Sequence, residues 1–494
     1  MPEFRTLATV RHHAMVLTDH EFEVPLDHAR PSGEKLTLFA RAVRSVKKSA
    51  ADLPWLVFLQ GGPGFPGPRP LTNSGWIKRA LDDYRVLLLD SRGNGRSSVV
   101  LPQTLARRGS ARAQADYLMH FRADSIVDDA ESIRRKLAGE NERWSVLGQS
   151  YGGFCAVHYL SAHPEGLREV FVTGGLPPLA ASADDYYRQT YPEVARKTRK
   201  FFSRYPQDRE RCARILEHLH CKPVALPTGG TLGVRRFQQV GFLLGMDDGM
   251  ESLHYLLEAA FCTGLAGEEL SYPFLRALEN TQSFEAHPMF AVLHEMCYTQ
   301  RCASRWSAQR VRAEFPETNW EPGRQPAFTG EMIYPWMFDD YRELRPLREV
   351  AEILADEDRW HDLYASARLA RNDVPCAAVV YAEDMSGRRY SFYAPQVWMR
   401  QRRIYLPTAN VWGTHLSNAY EVQKMNELVD AGLLQVGDPL VVPFDDGPAA
   451  HQEMWENRHR ASNYVLNHAL PEMGLKTKDE LYQAWAKLER PPRG

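Results

Sequence analysis

The sequence predicts a doubly wound α/β protein with a helical insertion, on three observations. Short continuous apolar runs ending in glycine recur: "PWLVFLQGGPG", "YRVLLLDSRGNGRSS", "RWSVLGQSYGG" and "LREVFVTGG". Runs that are apolar throughout, rather than alternating, suit strands buried on both faces of a parallel sheet. Helical patterns separate them, at 125–139 and 153–163, which is the alternation of a sheet wrapped by helices. Third, the strand signal stops between about 178 and 345 and resumes near 374 with "VPCAAVVYAED" and "RRIYLPTAN".

Two strands precede these runs, "MVLTDHEFEVPLDH" at 15–28 and "KLTLFARAVRS" at 35–45, joined by the turn "ARPSGE". The segment lacking strands carries helical patterns such as "YPEVARKTRKFFSRYP", "RERCARILEHLH", "GMESLHYLLEAAF" and "HPMFAVLHEMCY", entered through the linker "GLPPLAASADD". It reads as a cap over the end of the sheet. The expected organisation is a first part of the core at 1–177, a cap at 178–345, and a second part of the core with a C-terminal extension at 346–494. A further helix is expected at 386–401, and "LERPPRG" reads as a loose tail.

The chain has 494 residues, 44% hydrophobic and 25% charged, with a net charge of −2. That balance carries no electrostatic footprint for nucleic acid or an anionic membrane. No apolar run reaches the ~18 residues of a membrane span. The N-terminal "MPEFRTLATVRHHAM" lacks the apolar stretch of a signal peptide, which points to the cytoplasm. Seven cysteines lie at 155, 212, 221, 262, 297, 302 and 376 with no C-x-x-C pair, so reduced thiols and no zinc site are expected.

The pentapeptide Gly148-Gln149-Ser150-Tyr151-Gly152 fits G-x-S-x-G where a predicted strand meets a predicted helix. Such a turn exposes the serine Oγ on a strained backbone, and its glycines leave room for the neighbouring strand and helix. The helix N-terminus also aims N–H groups at a developing oxyanion. A serine nucleophile needs a histidine base and a carboxylate that orients it, and in this arrangement they follow in the order Ser, Asp or Glu, His. Four histidines follow the resumed strands: His415, His451, His459 and His468. His415, in a loop just after "RRIYLP", stands at a strand's carboxyl end; the other three fall in charge-rich sequence typical of surface helix. Asp384 ends the preceding strand, with Glu383 as the neighbour that could substitute, whereas Asp373 stands at the strand's wrong end. The expected triad is Ser150, Asp384 and His415. The glycines of "FLQGGPG" direct backbone amides inward, so the expected oxyanion donors are the N–H groups of Gly62, Gly61 and Tyr151.

These segments together resemble the proline iminopeptidases (prolyl aminopeptidases), in the larger form of that family within the α/β-hydrolase superfamily. The matching pieces are "QGGPG", "LLLDSRGNGRSS", "LGQSYGGFC" and "EGLREVFVTGGLPPL". "LHYLLEAAF", "LHEMCY", "FTGEMIYPWMF", "YAEDM" and "THLSNA" follow in family order, and the resemblance runs to about residue 435. It departs from the family at Gln60, where His is frequent, and at Ser91, within D-Q-R-G. It departs again at "MSGRRY" after Asp384 and at "LSNA" after His415.

The resemblance implies an α/β-hydrolase fold and a serine exopeptidase that releases N-terminal proline from peptides, with no metal or organic cofactor. The predicted cap holds Glu258, Glu295 and Glu331 in locally apolar sequence. A buried carboxylate needs a cation or a proton, and a substrate's free ammonium would serve. The family context favours Glu258 and Glu295 for that role, with Glu331 third, and aromatics such as Tyr255, Phe261 and Tyr298 could wall a proline-sized pocket. Two rival readings stay open: an esterase or broader aminopeptidase on the same triad, and a catalytically inactive binding module. No nucleic-acid or membrane partner is expected, and a homo-oligomer is allowed.

Overall fold

The computed structural model describes residues 4–48, 51–179, 182–246, 248–264, 267–369, 371–379, 385, 439–443 and 463–467. Eight strands form one sheet: β1 (Arg5–His12), β2 (Met15–Pro25), β3 (Lys35–Ser45), β4 (Trp55–Leu59), β5 (Arg85–Leu89), β6 (Trp144–Gln149), β7 (Leu167–Thr173) and β8 (Cys376–Val379). Their order is β1-β2-β3-β5-β4-β6-β7-β8. The first three strands and the β3–β5 pair are antiparallel, and β5, β4, β6, β7 and β8 run parallel.

Every residue of β4 and of β6 is buried, which is why these runs are apolar at consecutive positions. Alternate side chains feed two layers. Leu56, Phe58, Val86, Leu88, Leu147 and Phe171 pack on the helix Gly75–Ala80 through Trp76 and Ile77. Val57, Leu59, Leu87, Val146, Val170 and Val172 face the opposite layer, with the helices Ala123–Leu137 and Tyr151–Ala162. This is the doubly wound arrangement expected.

Between β7 and β8, no strand among the described residues of 174–375 joins the main sheet. That stretch contains the helices Ala183–Arg204, Gln207–Cys221, Gly249–Glu258 and Tyr272–Thr281 and two small hairpins. The helical pattern expected over "HPMFAVLHEMCY" breaks into a short helix, Pro288–Leu293, and a 3₁₀ turn, Glu295–Tyr298. β1 was not anticipated. The helix expected at 386–401 and the strand of "RRIYLPTAN" lie outside the described residues. Strands Pro439–Pro443 and Asn463–Asn467 pair in parallel with each other as a separate two-stranded sheet. No described helix is long and apolar enough to cross a membrane.

Candidate active site

The parallel strands end on one edge of the sheet, and at the end of β6 the chain reverses into a helix through Ser150. Its φ of +51° and ψ of −124° lie where a side chain is strained. The strain is held by the frame: Ser150 N–H donates to Thr173 O at 2.9 Å, and Gly153 N–H donates to Ser150 O at 2.7 Å. The flanking glycines are steric requirements. A Cβ on Gly148 would stand 2.2 Å from Gly152 O, and one on Gly152 would stand 1.9 Å from Leu59 O. Strand, turn and helix therefore close at this spot only without side chains.

The "QGGPG" loop crosses directly over the serine. A Cβ built on Gly61 would lie 2.8 Å from Ser150 Cβ and 3.3 Å from Ser150 Oγ. Gly61 N–H donates to its neighbour's side chain, Gln60 Oε1, at 3.1 Å. That bond engages the Gly61 amide within its own loop. Tyr151 is the first residue of the helix Tyr151–Ala162, so its N–H is among those that no turn of that helix satisfies. Behind the loop, Gln60, Gly61, Ser91, Asn94, Tyr151 and Met289 line a cavity of about 10 Å³, room for one water.

Asp384, its neighbour Glu383, and His415 all lie outside the described residues. The strand that leads to Asp384 is described. Val379 pairs with Thr173, and Thr173 with Gln149, so the ends of β8, β7 and β6 form one row beside Ser150.

The three carboxylates differ. Glu295 and Glu331 are each 3% exposed, as expected. Glu295 Oε1 accepts Ala308 N–H at 2.8 Å and Oε2 accepts Ser307 N–H at 3.1 Å, so it ties the turn 295–298 to the helix Ser307–Arg312. Burial pushes its pKa up to about 7 against these two amides, Ser304 and Arg310. The Tyr187 hydroxyl, whose own pKa rises first through burial and then through the Glu295 charge, has no hydrogen-bond partner among the described residues. Glu331 acts on the buried Cys297 thiol, which itself lies within the influence of Cys155 and Tyr151, so it stands near the helix Tyr151–Ala162. Glu258 corrects the expectation of burial: its side chain is 58% exposed, and its Oε2 lies 3.9 Å from His254 Nε2. Tyr255 is likewise 65% exposed. Both lie on the outer side of the helix Gly249–Glu258, whose inner side carries Met250, Leu253, Leu256 and Leu257. Of the other proposed pocket aromatics, Phe261 is half-buried, and Tyr298 stacks on Tyr186 at 3.9 Å and meets Phe154 edge-on.

Sequence reasoning missed His287. Its Nδ1 lies 3.1 Å from Gly64 O, and its ring stacks on Phe65 at 3.9 Å, so the segment between β7 and β8 touches the "QGGPG" loop directly. No local pattern signals a contact between residues 223 apart in the chain. Among the described residues no cluster of three or more His, Cys, Asp or Glu side chains could hold a metal ion.

Residues 54–246 match the family model described as the alpha/beta hydrolase fold. The chain is 48% identical over 403 residues to a proline iminopeptidase of Aeromonas sobria, covering 81% of this chain and 91% of that protein. It is 38% identical over 375 residues to a proline iminopeptidase of Aspergillus aculeatus, covering 74% of this chain and 83% of that one. A shorter likeness, 28% over 109 residues, links 22% of the chain to 24% of a crotonyl-CoA carboxylase/reductase of Cereibacter sphaeroides.

Proposed function

The chain belongs to the proline iminopeptidase family of α/β-hydrolases, and on that premise we propose that it releases N-terminal proline from peptides through a Ser150–His415–Asp384 triad. His415 takes the Ser150 proton as Oγ attacks the first carbonyl. Asp384 orients the imidazole and stabilises its charged form. The Gly62 and Tyr151 amides receive the oxyanion, the Gly61 amide being engaged by Gln60. His415 then protonates the leaving amine, and water resolves the acyl-enzyme. Glu295 and Glu331 hold the substrate's free ammonium, and the peptides met in the cytoplasm are the natural substrates.

The observation that carries this reading is Ser150 at φ +51° beneath a glycine loop, on the strand edge where parallel strands end. The row Gln149–Thr173–Val379 supports Asp384, because the acid follows the end of β8 by five residues. The test is hydrolysis of Pro-β-naphthylamide beside its N-acylated analogue. Cleavage of the free amine alone is expected, and equal rates on both would remove ammonium recognition. Ser150→Ala should fold normally and lose turnover by about 10⁴-fold or more. A variant that keeps a tenth of the wild-type rate sinks the nucleophile.

Two observations favour a second reading, a peptide-binding chain that does not turn over. They are the departure at "MSGRRY" after Asp384 and the departure at "LSNA" after His415. A fluorophosphonate probe separates the two, since only an activated serine is labelled.

A further inference from the structure

We propose that Asp90 is a positioning residue for catalysis: its carboxylate hangs the oxyanion loop at the height that Ser150 chemistry requires. Asp90 follows directly on β5, which pairs with β4, and is fully buried. Its Oδ1 accepts Gly67 N–H at 2.9 Å and Arg69 Nη1 at 2.9 Å. Its Oδ2 accepts Arg96 N–H at 2.9 Å and the second Arg69 Nη. Arg69 Nη1 also donates to Gly67 O at 2.8 Å, so the loop is gripped at both its amide and its carbonyl. Four donors thus saturate one carboxylate, and three of them, the Gly67 amide and both Arg69 Nη atoms, belong to the loop that began at Gln60.

The loop has two fixed ends. One is Leu59, the last residue of β4; the other is Gly67 on Asp90. Gly62, whose amide receives the oxyanion, lies between them. Packing leaves the far end no slack. A Cβ on Gly67 would stand 2.8 Å from Leu89 O, and one on Gly95 would stand 2.2 Å from Asp90 Oδ2. The carboxylate's own backbone is pinned as well, with Asp90 N–H donating to Phe39 O at 2.9 Å and Ser97 Oγ donating to Asp90 O at 2.6 Å. Its motif neighbour Arg92 turns the other way, to Asp129 and to the carbonyls of Leu26 and His120. The two charges of "DSRG" therefore serve different elements, and only Asp90 holds the loop over the serine.

An oxyanion donor acts in the transition state and not on the bound substrate, so displacing it lowers kcat and spares KM. The experiment compares the full-length wild type with Asp90→Asn and Arg69→Met. It reads kcat and KM on Pro-β-naphthylamide, inhibition by free proline, and the rate constant for fluorophosphonate labelling of Ser150. Rate constants are taken on the folded fraction, which removes any effect of simple destabilisation. Both variants are expected to lose about 10- to 100-fold in kcat and in labelling rate together, while KM and proline inhibition stay within about twofold. Arg69, at 34% side-chain exposure, keeps the comparison available should Asp90→Asn fail to fold. Wild-type labelling rates in a folded variant overturn the proposal, and so does a fall in kcat matched by a rise in KM. The inference rests on the peptidase reading for its turnover readout alone. A wild type that labels but leaves prolyl substrates intact refutes that reading and leaves the labelling rates to decide Asp90. A wild type inert to the probe refutes both.

Discussion

Glu295 shows how one side chain couples cap architecture to pH. Burial raises its pKa to about 7 from the ordinary 4.5, because two backbone amides stabilise the anion less than water does. Between those values the folded chain holds a proton that the unfolded chain has released. The contribution to stability is therefore full below about pH 4.5, falls as pH rises through 7, and is flat beyond. A shift of this size corresponds to at most about 3 kcal/mol. Glu295→Gln keeps an acceptor for the Ser307 and Ala308 amides without the titration. Urea denaturation at pH 5 and pH 8 should show the wild type losing about 1–3 kcal/mol more than the variant over that interval. Glu131 and Glu357, held at about 2 by arginine partners against burial, titrate below the window. His20, His120 and His158, all lowered first by burial, are common to both proteins and cancel in the difference. Parallel pH profiles would show that Glu295 carries no such coupling. Where this residue binds a substrate ammonium, the added cation draws the same proton off, so amine recognition and cap stability share one titration.

The turn at Ser150 and the helix Gly249–Glu258 mark the limits of what local sequence conveys at the scale of elements. The turn was legible because its determinants sit within a few residues: a strand buried on both faces, two glycines and a helix start. Gly152→Ala tests it. The new methyl would meet Leu59 O, so β4 and the helix Tyr151–Ala162 must part, at a cost of about 1–3 kcal/mol or more. Thermal denaturation should show that loss, with turnover falling further than stability explains; a variant of wild-type stability would refute the steric account. Glu258 was misread for the converse reason. "LHYLLEAAF" is apolar in linear order, but a helix sorts residues by 100° steps, and Glu258, one step past Leu257, shares the outer side with Glu251 and Tyr255. β1 escaped notice because an edge strand is buried on neither face for most of its length, so "RTLATVRH" shows no clean alternation. His287 and the Asp90 grip were invisible for a third reason: each joins segments that only the folded chain brings together.

Across the whole molecule, the insertion has no core of its own among the described residues. One continuous apolar cluster runs from Val57, Val146 and Val172 of the sheet, through Tyr151 and Phe154, to Tyr186, Phe201, Leu253, Phe290 and Tyr334 of the insertion. Polar ties cross the same boundary. Arg122, 2% exposed at the start of the helix Ala123–Leu137, donates to Thr299 O at 2.8 Å and to His361 O at 2.9 Å, and pairs with Asp124. A segment hinged for free opening would keep its own core and a polar interface; this one shares its core with the sheet and its helices. The insertion and the sheet should therefore unfold together, although chains of this length commonly show intermediates. Leu253→Ala in the insertion and Val57→Ala in β4, both fully buried, should each cost about 2–4 kcal/mol. Hydrogen exchange read at β6 and at the helix Gly249–Glu258 should report the same loss in both places for either variant, because one cooperative unit has been weakened. Protection that falls at the helix alone for Leu253→Ala, and at the strand alone for Val57→Ala, would show a cap that opens independently. Substrate entry would then proceed by lid motion and not through a standing opening in a single rigid body.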